Sequence, residues 1–174
     1  MDESQVQEFE AFYERSFAKV YNYARHRTGS GTEADELVSE VFTRALEGWH
    51  RYDPAAGERG AWLFGIARNA AADRFRRLRR RLLGGLLELF DTPDPGPRPP
   101  EAAARSEDER RLQAALAALD ERARDIVCLR YYADMTNRAI AGLIGLTEGN
   151  VAVILFRSLK TLRRSLGEEG SHAG

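Results

Sequence analysis

The sequence has a single cysteine, Cys128, which excludes an internal disulfide framework and any CxxC metal or redox pair. Its three histidines, His26, His50 and His172, are scattered without a second ligand at helical spacing, so no metal site is expected. Long apolar runs are also missing, and none approaches the ~20 residues that a membrane span needs. The first residues, Met-Asp-Glu-Ser-Gln, have neither the basic nor the apolar stretch of a signal peptide. A reducing, cytoplasmic setting without stable membrane insertion is the expectation. No nucleophile–base pairing, phosphate loop or paired-carboxylate spacing stands out, so neither an enzyme nor a cofactor is expected. Proline is scarce except in one place: five of the six fall within residues 93–100.

With 43% hydrophobic and 30% charged residues, the 174-residue chain can bury a core. Its length suits one domain or two small ones. The net charge of −1 hides a segregation of sign. Six of the eight residues from Arg74 to Arg81 are arginine, while acids gather at Glu33, Asp35, Glu36 and Glu40. The stretch Asp91-Thr-Pro-Asp-Pro-Gly-Pro-Arg-Pro-Pro100 has too many missing N–H groups and fixed φ angles for a helix or a central strand. It reads as an extended, semi-rigid linker. The alternative, a long surface loop within one domain, is uncommon in compact folds. The expected architecture is therefore all-α, with two small helical domains at 1–83 and 107–168 joined by a Pro-rich linker at 84–106.

Apolar residues at Val6, Phe9, Phe12/Tyr13, Phe17, Val20 and Ala24 predict an amphipathic helix of about twenty residues, stopped near Gly29. A second helix is expected to start at Thr32-Glu-Ala-Asp35, a capping-box-like pattern. Its apolar stripe is Ala34, Leu37, Val38, Val41, Phe42, Ala45, Leu46 and Trp49. Arg51 to Gly57 forms a loop. A third helix runs from about Arg59 to Leu82, with Leu63, Ile66, Ala67, Ala70, Phe75, Leu78 and Leu82 inward. Arg68, Arg74, Arg77 and Arg81 recur along its outer face. So dense a row of arginines repels itself unless a polyanion or counterions offset it. Duplex DNA fits that demand through counterion release, with RNA or a solvated basic face as alternatives.

Beyond the prolines, Leu112, Leu116 and Leu119 mark a short helix, and Asp120 caps another that carries Ala123, Ile126 and Val127 inward, with Arg130's stem or Tyr131. Cys128 is expected as a small core residue. The most informative segment is Met135-Thr-Asn-Arg-Ala-Ile-Ala-Gly-Leu-Ile-Gly-Leu-Thr-Glu-Gly-Asn-Val-Ala-Val-Ile-Leu155. Thr136 caps a helix bearing Ile140, Leu143 and Ile144; Gly145 turns the chain, Leu146 plugs the gap and Thr147 caps the next helix. That is the pattern of a helix-turn-helix, whose second helix lies in the DNA major groove. A helical wheel places Val151, Leu155, Ser158, Leu159 and Leu162 inward, with Asn150, Val153, Phe156, Arg157, Lys160 and Arg164 outward.

Taken together, these segments resemble the bacterial RNA polymerase sigma factors of the extracytoplasmic function (ECF) class, over roughly residues 5–82 and 108–166. Glu33-Ala-Asp-Glu-Leu-Val-Ser-Glu-Val-Phe-Thr-Arg-Ala-Leu46 is similar to the family's acidic helix that grips the β′ coiled coil of core polymerase. The resemblance assigns that contact to Asp35, Glu36, Leu37, Val38, Ser39, Glu40 and Phe42. Ala61-Trp-Leu-Phe-Gly-Ile-Ala-Arg-Asn-Ala-Ala-Ala-Asp-Arg-Phe-Arg-Arg77 matches the segment that opens and reads the −10 element. It implies DNA contacts from Trp62, Arg68, Asn69, Asp73, Arg74, Arg76 and Arg77, with the base pocket beside the Arg51–Arg59 loop. Trp62 is equally readable as a melting aromatic or as core. Leu119-Asp-Glu-Arg-Ala-Arg-Asp-Ile-Val-Cys-Leu-Arg-Tyr131 and the helix-turn-helix match the −35-reading domain, implying contacts from Arg138, Asn150, Val153, Phe156, Arg157 and Lys160. The implied partners are core RNA polymerase (β′ coiled coil and β flap), promoter DNA and an anti-sigma factor. Ser39 stands where glutamine is common, and Ala152, Val153 and Ile154 where basic or hydroxyl residues are. A helix-turn-helix regulator that works without polymerase is the rival reading, and it leaves residues 1–82 unexplained.

Overall fold

Residues 2–88 and 107–168 are described by the structure, a computed structural model of the chain. They form seven α-helices and, among the described residues, no strand. The helices are α1 (Glu3–Thr28), α2 (Gly31–Gly48), α3 (Arg59–Glu88), α4 (Glu107–Ala117), α5 (Glu121–Tyr131), α6 (Asn137–Ile144) and α7 (Glu148–Glu168). No single described helix is long and apolar enough to cross a membrane.

The ends of these helices follow from local chemistry. Asp2 opens α1 with a reciprocal capping box to Gln5, and Gly29 closes it in the left-handed region at φ 76°. That turn leaves Ser30 extended, so Ser30 caps α2, its Oγ accepting from the Glu33 N–H at 3.4 Å. The helix thus begins one residue before the expected Thr32, which lies inside it. The predicted loop at 51–57 is led into by a short 3-10 turn at Trp49–Arg51 and contains another at Pro54–Ala56. Helix α3 continues to Glu88, beyond the expected end near Leu82. Gly84 and Gly85 disfavour helix only weakly, by about 1 kcal/mol each relative to alanine, and no proline intervenes before Pro93. The side chain of Leu82, expected inward, lies outside the described ones. The remainder of the expected linker, 89–106, lies outside the described residues altogether.

Helices α1, α2 and α3 pack around Val20, Tyr23, Ala34, Leu37, Val41, Leu63 and Ala67, all fully buried. Helices α4 to α7 pack around Leu116, Ile126, Leu129, Ile140 and Val151. Cys128 is buried here as expected, and desolvation pushes its thiol up to about 12. The two groups meet: α1 lies against α5 and α3 against α6, so their buried residues form one continuous core.

The helix-turn-helix is present. Thr136 Oγ1 accepts from the Ala139 N–H, Gly145 turns at φ 70°, and Thr147 Oγ1 accepts from the Asn150 N–H. Helices α6 and α7 are bent by 106° relative to one another, within the range of the motif. Inward expectations fail at Leu46 of α2, which is exposed, and at Leu78. Leu78 of α3 is exposed, because the arginine-rich end of α3 extends past the helices that cover its first half. Of the two alternatives at the end of α5, Arg130 takes the inward place, donating to the Met135 carbonyl at 3.3 Å, and Tyr131 is exposed.

Candidate functional site

The outer face of the first three helices carries an apolar groove of about 410 Å³ between α1 and α2. Phe9, Tyr13 and Phe17 line it from α1, and Val38, Phe42 and Leu46 from α2, with Asp35 and Ser39 on the rim. Tyr13, Phe17 and Leu46 are exposed. Tyr13 and Phe17 both lie against Phe42, at ring distances of 4.5 and 6.3 Å. The hydrophobic stripe of α1 is therefore wider than its neighbours cover: Phe12, Val20 and Ala24 face the core while Tyr13 and Phe17 face out. The doubled aromatic position, Phe12-Tyr13, is the sequence signal for that extra width.

Of the residues assigned to the α2 contact, Asp35, Val38, Ser39 and Phe42 come together on this groove. Glu36 and Glu40 turn the other way. Glu36 pairs with Arg74, and Glu40 accepts from Arg44 and lies 3.5 and 3.7 Å from Arg74 and Arg77. Leu37 has no exposed surface. Its place is the core, so Leu37→Ala is expected to cost about 2–5 kcal/mol of stability. Urea unfolding checks this, and binding per folded molecule should be unchanged.

The residues assigned to the −10 segment are spread along α3. Trp62 is half-buried, packed on Trp49 and Tyr52 at 6.3 and 5.5 Å, with its other side toward an open cleft. It is core and surface at once. Asn69 is exposed. Asp73 bonds to Arg76 and lies near Arg44, and the Arg76 hydrogen bond holds its carboxyl below the usual range. Arg76, Arg77, Arg79 and Arg80 form an exposed basic patch with Asp73 at its edge. Arg68 is engaged elsewhere: its Nε donates to Asp125 Oδ2 at 2.8 Å.

Asp125 is the least expected feature. It sits on α5, 6% exposed, and three side chains of the first half surround it. The Tyr23 hydroxyl donates to its Oδ1 at 2.7 Å, Arg68 holds Oδ2, and Arg27 Nε lies 3.6 Å from Oδ1. Arg27, 3% exposed, also lies over the Phe75 ring at 4.3 Å. Burial, reinforced by the Asp125 charge, raises the Tyr23 hydroxyl well above its usual range. Nearby, the His26 and Tyr132 rings stack at 3.5 Å, and Lys19 pairs with Asp134 at 3.2 Å. Helical periodicity gives Asp125 no inward signal, because its partners lie from 57 to 102 residues away in sequence.

The third surface is the outer side of α7. Asn150, Val153, Phe156, Arg157 and Lys160 are all exposed, and Phe156 is 71% exposed. Arg138 of α6 is exposed beside them and lies 3.6 Å from Glu148. Val153 and Phe156 thus cover no neighbouring helix. Among the described residues there is no cluster of three or more potential metal ligands.

Two family models match the chain: Sigma-70 region 2 over residues 12–81, and Sigma-70, region 4 over residues 109–162. The ECF RNA polymerase sigma factor BldN of Streptomyces coelicolor is 30% identical over 97% of this chain, which spans 65% of BldN's own length. The ECF RNA polymerase sigma factor SigL of Mycobacterium tuberculosis is 30% identical, covering 92% of this chain and 89% of SigL. Among solved structures, the fold is similar to the sigma factor RpoE bound to the anti-sigma factor NepR from Bartonella quintana. That likeness has a TM-score of 0.73 at 19% identity, over 92% of this chain and 98% of RpoE. CnrH, in complex with the cytosolic domain of CnrY, gives 0.67 at 23% identity over 92% and 88%.

Proposed function

Because this chain belongs to the ECF RNA polymerase sigma factors, a family of non-enzymatic factors for promoter-specific initiation by RNA polymerase, we propose a division of labour among its three surfaces. The α1–α2 groove binds the β′ coiled coil of core polymerase, with Phe17, Val38, Phe42 and Leu46 as the apolar floor and Asp35 and Ser39 at the rim. The loop at 51–57, Trp62, Asn69 and the α3 arginines take the −10 element and hold its melted strand. The outer side of α7, with Arg138, takes the −35 element, and region 4 meets the β flap. Holding one unstacked base costs about a few kcal/mol, which the basic patch offsets through phosphate contacts.

One observation carries this reading over a polymerase-independent regulator: the exposed apolar groove on the half of the chain that lacks the helix-turn-helix. An apolar patch of this kind marks a protein-binding surface, which an operator-binding protein needs only for its own dimerisation. An anti-sigma factor is a second kind of partner that such a groove fits; RpoE forms a complex with one, NepR. The test is run-off transcription with core polymerase and a promoter library, alongside copurification. Promoter-specific transcripts support the reading; DNA binding with no polymerase association removes it.

The α7 surface is the atypical part. Val153 lies one turn into the helix, where an apolar side chain meets a thymine methyl in the major groove. Val153→Ser is expected to change the preferred −35 sequence, by less than about 1 kcal/mol per site, while −10 preference and melting temperature stay fixed. Selection on a randomised −35 library reads this directly.

A further inference from the structure

A cluster of aromatic rings is gathered around one arginine at the start of α3. The Arg59 guanidinium lies over the Trp49 ring at 4.3 Å and over the Tyr52 ring at 4.8 Å. Its Nη1 donates to Glu8 Oε1 of α1 at 2.7 Å. Trp49 is buried and meets Phe9 of α1 edge-on at 5.1 Å. Trp62 completes the cluster, 6.3 Å from Trp49 and 5.5 Å from Tyr52. Its indole also lies over Gly48, where an added Cβ would come within 3.3 Å of it. Arg59 therefore joins three parts of the chain: α1, the turn at Trp49–Arg51 and the loop at 51–57.

The bonds inside that loop fix its shape but not its place. The Tyr52 hydroxyl donates to the Gly57 carbonyl at 2.7 Å, and Asp53 caps the Ala55 N–H at 2.9 Å. Arg51, Asp53, Pro54, Ala55 and Gly57 are exposed, while Tyr52 is partly buried, so Tyr52 is what seats the loop on the helices. Its ring has Trp62 on one side and the Arg59 guanidinium on the other. An exposed ion pair stabilises little by itself, so the role of Glu8 is to aim the guanidinium. A planar guanidinium stacks on ring faces in a way that the compact ammonium of lysine does not.

We propose that Arg59 is a positioning residue for promoter opening: it holds the Tyr52 ring, and through it the 51–57 loop, where the unstacked −10 base is received. The proposal rests on the role given above to that loop and Trp62. Two ring contacts of ordinary exposed strength change the ratio of seated to displaced loop by roughly five- to thirtyfold. A displaced loop leaves the unstacked base without its pocket, so the loss falls on opening and not on the first encounter with duplex DNA.

The test uses the full chain with core polymerase on a promoter recovered from the run-off library. Permanganate reactivity of the −10 thymines, followed over time, gives the opening rate; the salt dependence of the closed complex is measured beside it. Arg59→Gln is expected to slow opening at least threefold and to leave the slope of log affinity against log salt unchanged. A slowing of less than threefold overturns the clamp. So does a slope reduced by about one, because Arg59 would then be a direct phosphate ligand. Arg59→Lys keeps a cation over the rings and is expected to open faster than Arg59→Gln, yet slower than the wild type; a lysine variant no faster than the glutamine one overturns the clamp. In a Tyr52→Leu background Arg59→Gln is expected to cost less than twofold, since the ring it acts through is gone, and an undiminished loss there overturns the proposal. Should Arg59→Gln lose helicity, Arg59→Lys decides alone: slower opening at an unchanged slope supports the clamp, and the wild-type rate removes it. A wild-type chain that opens no promoter with core polymerase removes the proposed function and the clamp together, whereas equal opening by wild type and Arg59→Gln removes the clamp only.

Discussion

A chain carrying Phe17→Asp and Leu46→Asp is expected to bind core RNA polymerase at least tenfold more weakly than the wild type while keeping its helicity and melting temperature. Both side chains stand at the groove between α1 and α2, exposed in the free chain. Burying an apolar side chain of this size against a partner contributes about 1.5–3 kcal/mol. Both are already more than half covered in the free chain, so losing the two removes about 1–2 kcal/mol, roughly tenfold in affinity. Aspartate deepens the loss, since a carboxylate pressed into an apolar seam must be desolvated without a partner. Folding should be spared because surface substitutions usually change stability by no more than about 0.5 kcal/mol. Asp35→Arg alone makes a milder companion: it reverses a rim charge and leaves the groove floor intact. Glu36 does not belong in that experiment, because its pair with Arg74 ties it to α3. Fluorescence anisotropy against core polymerase, with circular dichroism on the same samples, decides. Affinity within threefold of wild type would remove the groove from the polymerase contact.

The helices themselves are legible in the sequence because their signals are local. Gly29, Asp120, Thr136, Gly145 and Thr147 each act within a few residues, through a cap or a left-handed turn, and each does so in the structure. The inward and outward sides of α7 follow from period alone, and Val151, Leu155, Ser158 and Leu162 are buried as the wheel places them. Periodicity fails where an apolar stripe is wider than the neighbouring helices cover. Phe17 and Leu46 have the same spacing as true core residues, and only packing tells that they face outward. It fails again for charge. Glu36, Glu40, Arg74 and Arg77 read as two separate charged faces, yet they are one cross-helix network. The seam between the halves is illegible for a stronger reason. Asp125, Tyr23, Arg27 and Arg68 have no sequence spacing in common; only the tertiary fold brings them together.

That charge network changes which arginines should matter most for DNA. Replacing Arg76, Arg79 and Arg80 with alanine is expected to lower promoter-complex formation at least tenfold in low salt and to flatten its salt dependence. Removing one phosphate-binding side chain should reduce the slope of log affinity against log salt by about one, so a fall of about three is the signature. These three line the exposed patch at the far part of α3, where a phosphate backbone can reach them. Arg74 is different. It is partly buried between Glu36 and Glu40, so Arg74→Ala takes the α3 partner from Glu36, leaves Glu40 to Arg44 and Arg77, and should act on the α2–α3 packing first. The two classes separate cleanly: the triple variant loses slope at constant melting temperature, whereas Arg74→Ala loses melting temperature with little change in slope. Permanganate footprinting of the opened −10 strand adds the functional readout. An unchanged slope and an unchanged bubble in the triple variant would mean that these arginines are a solvated face, and that the melted strand is held by the 51–57 loop and Trp62 without them.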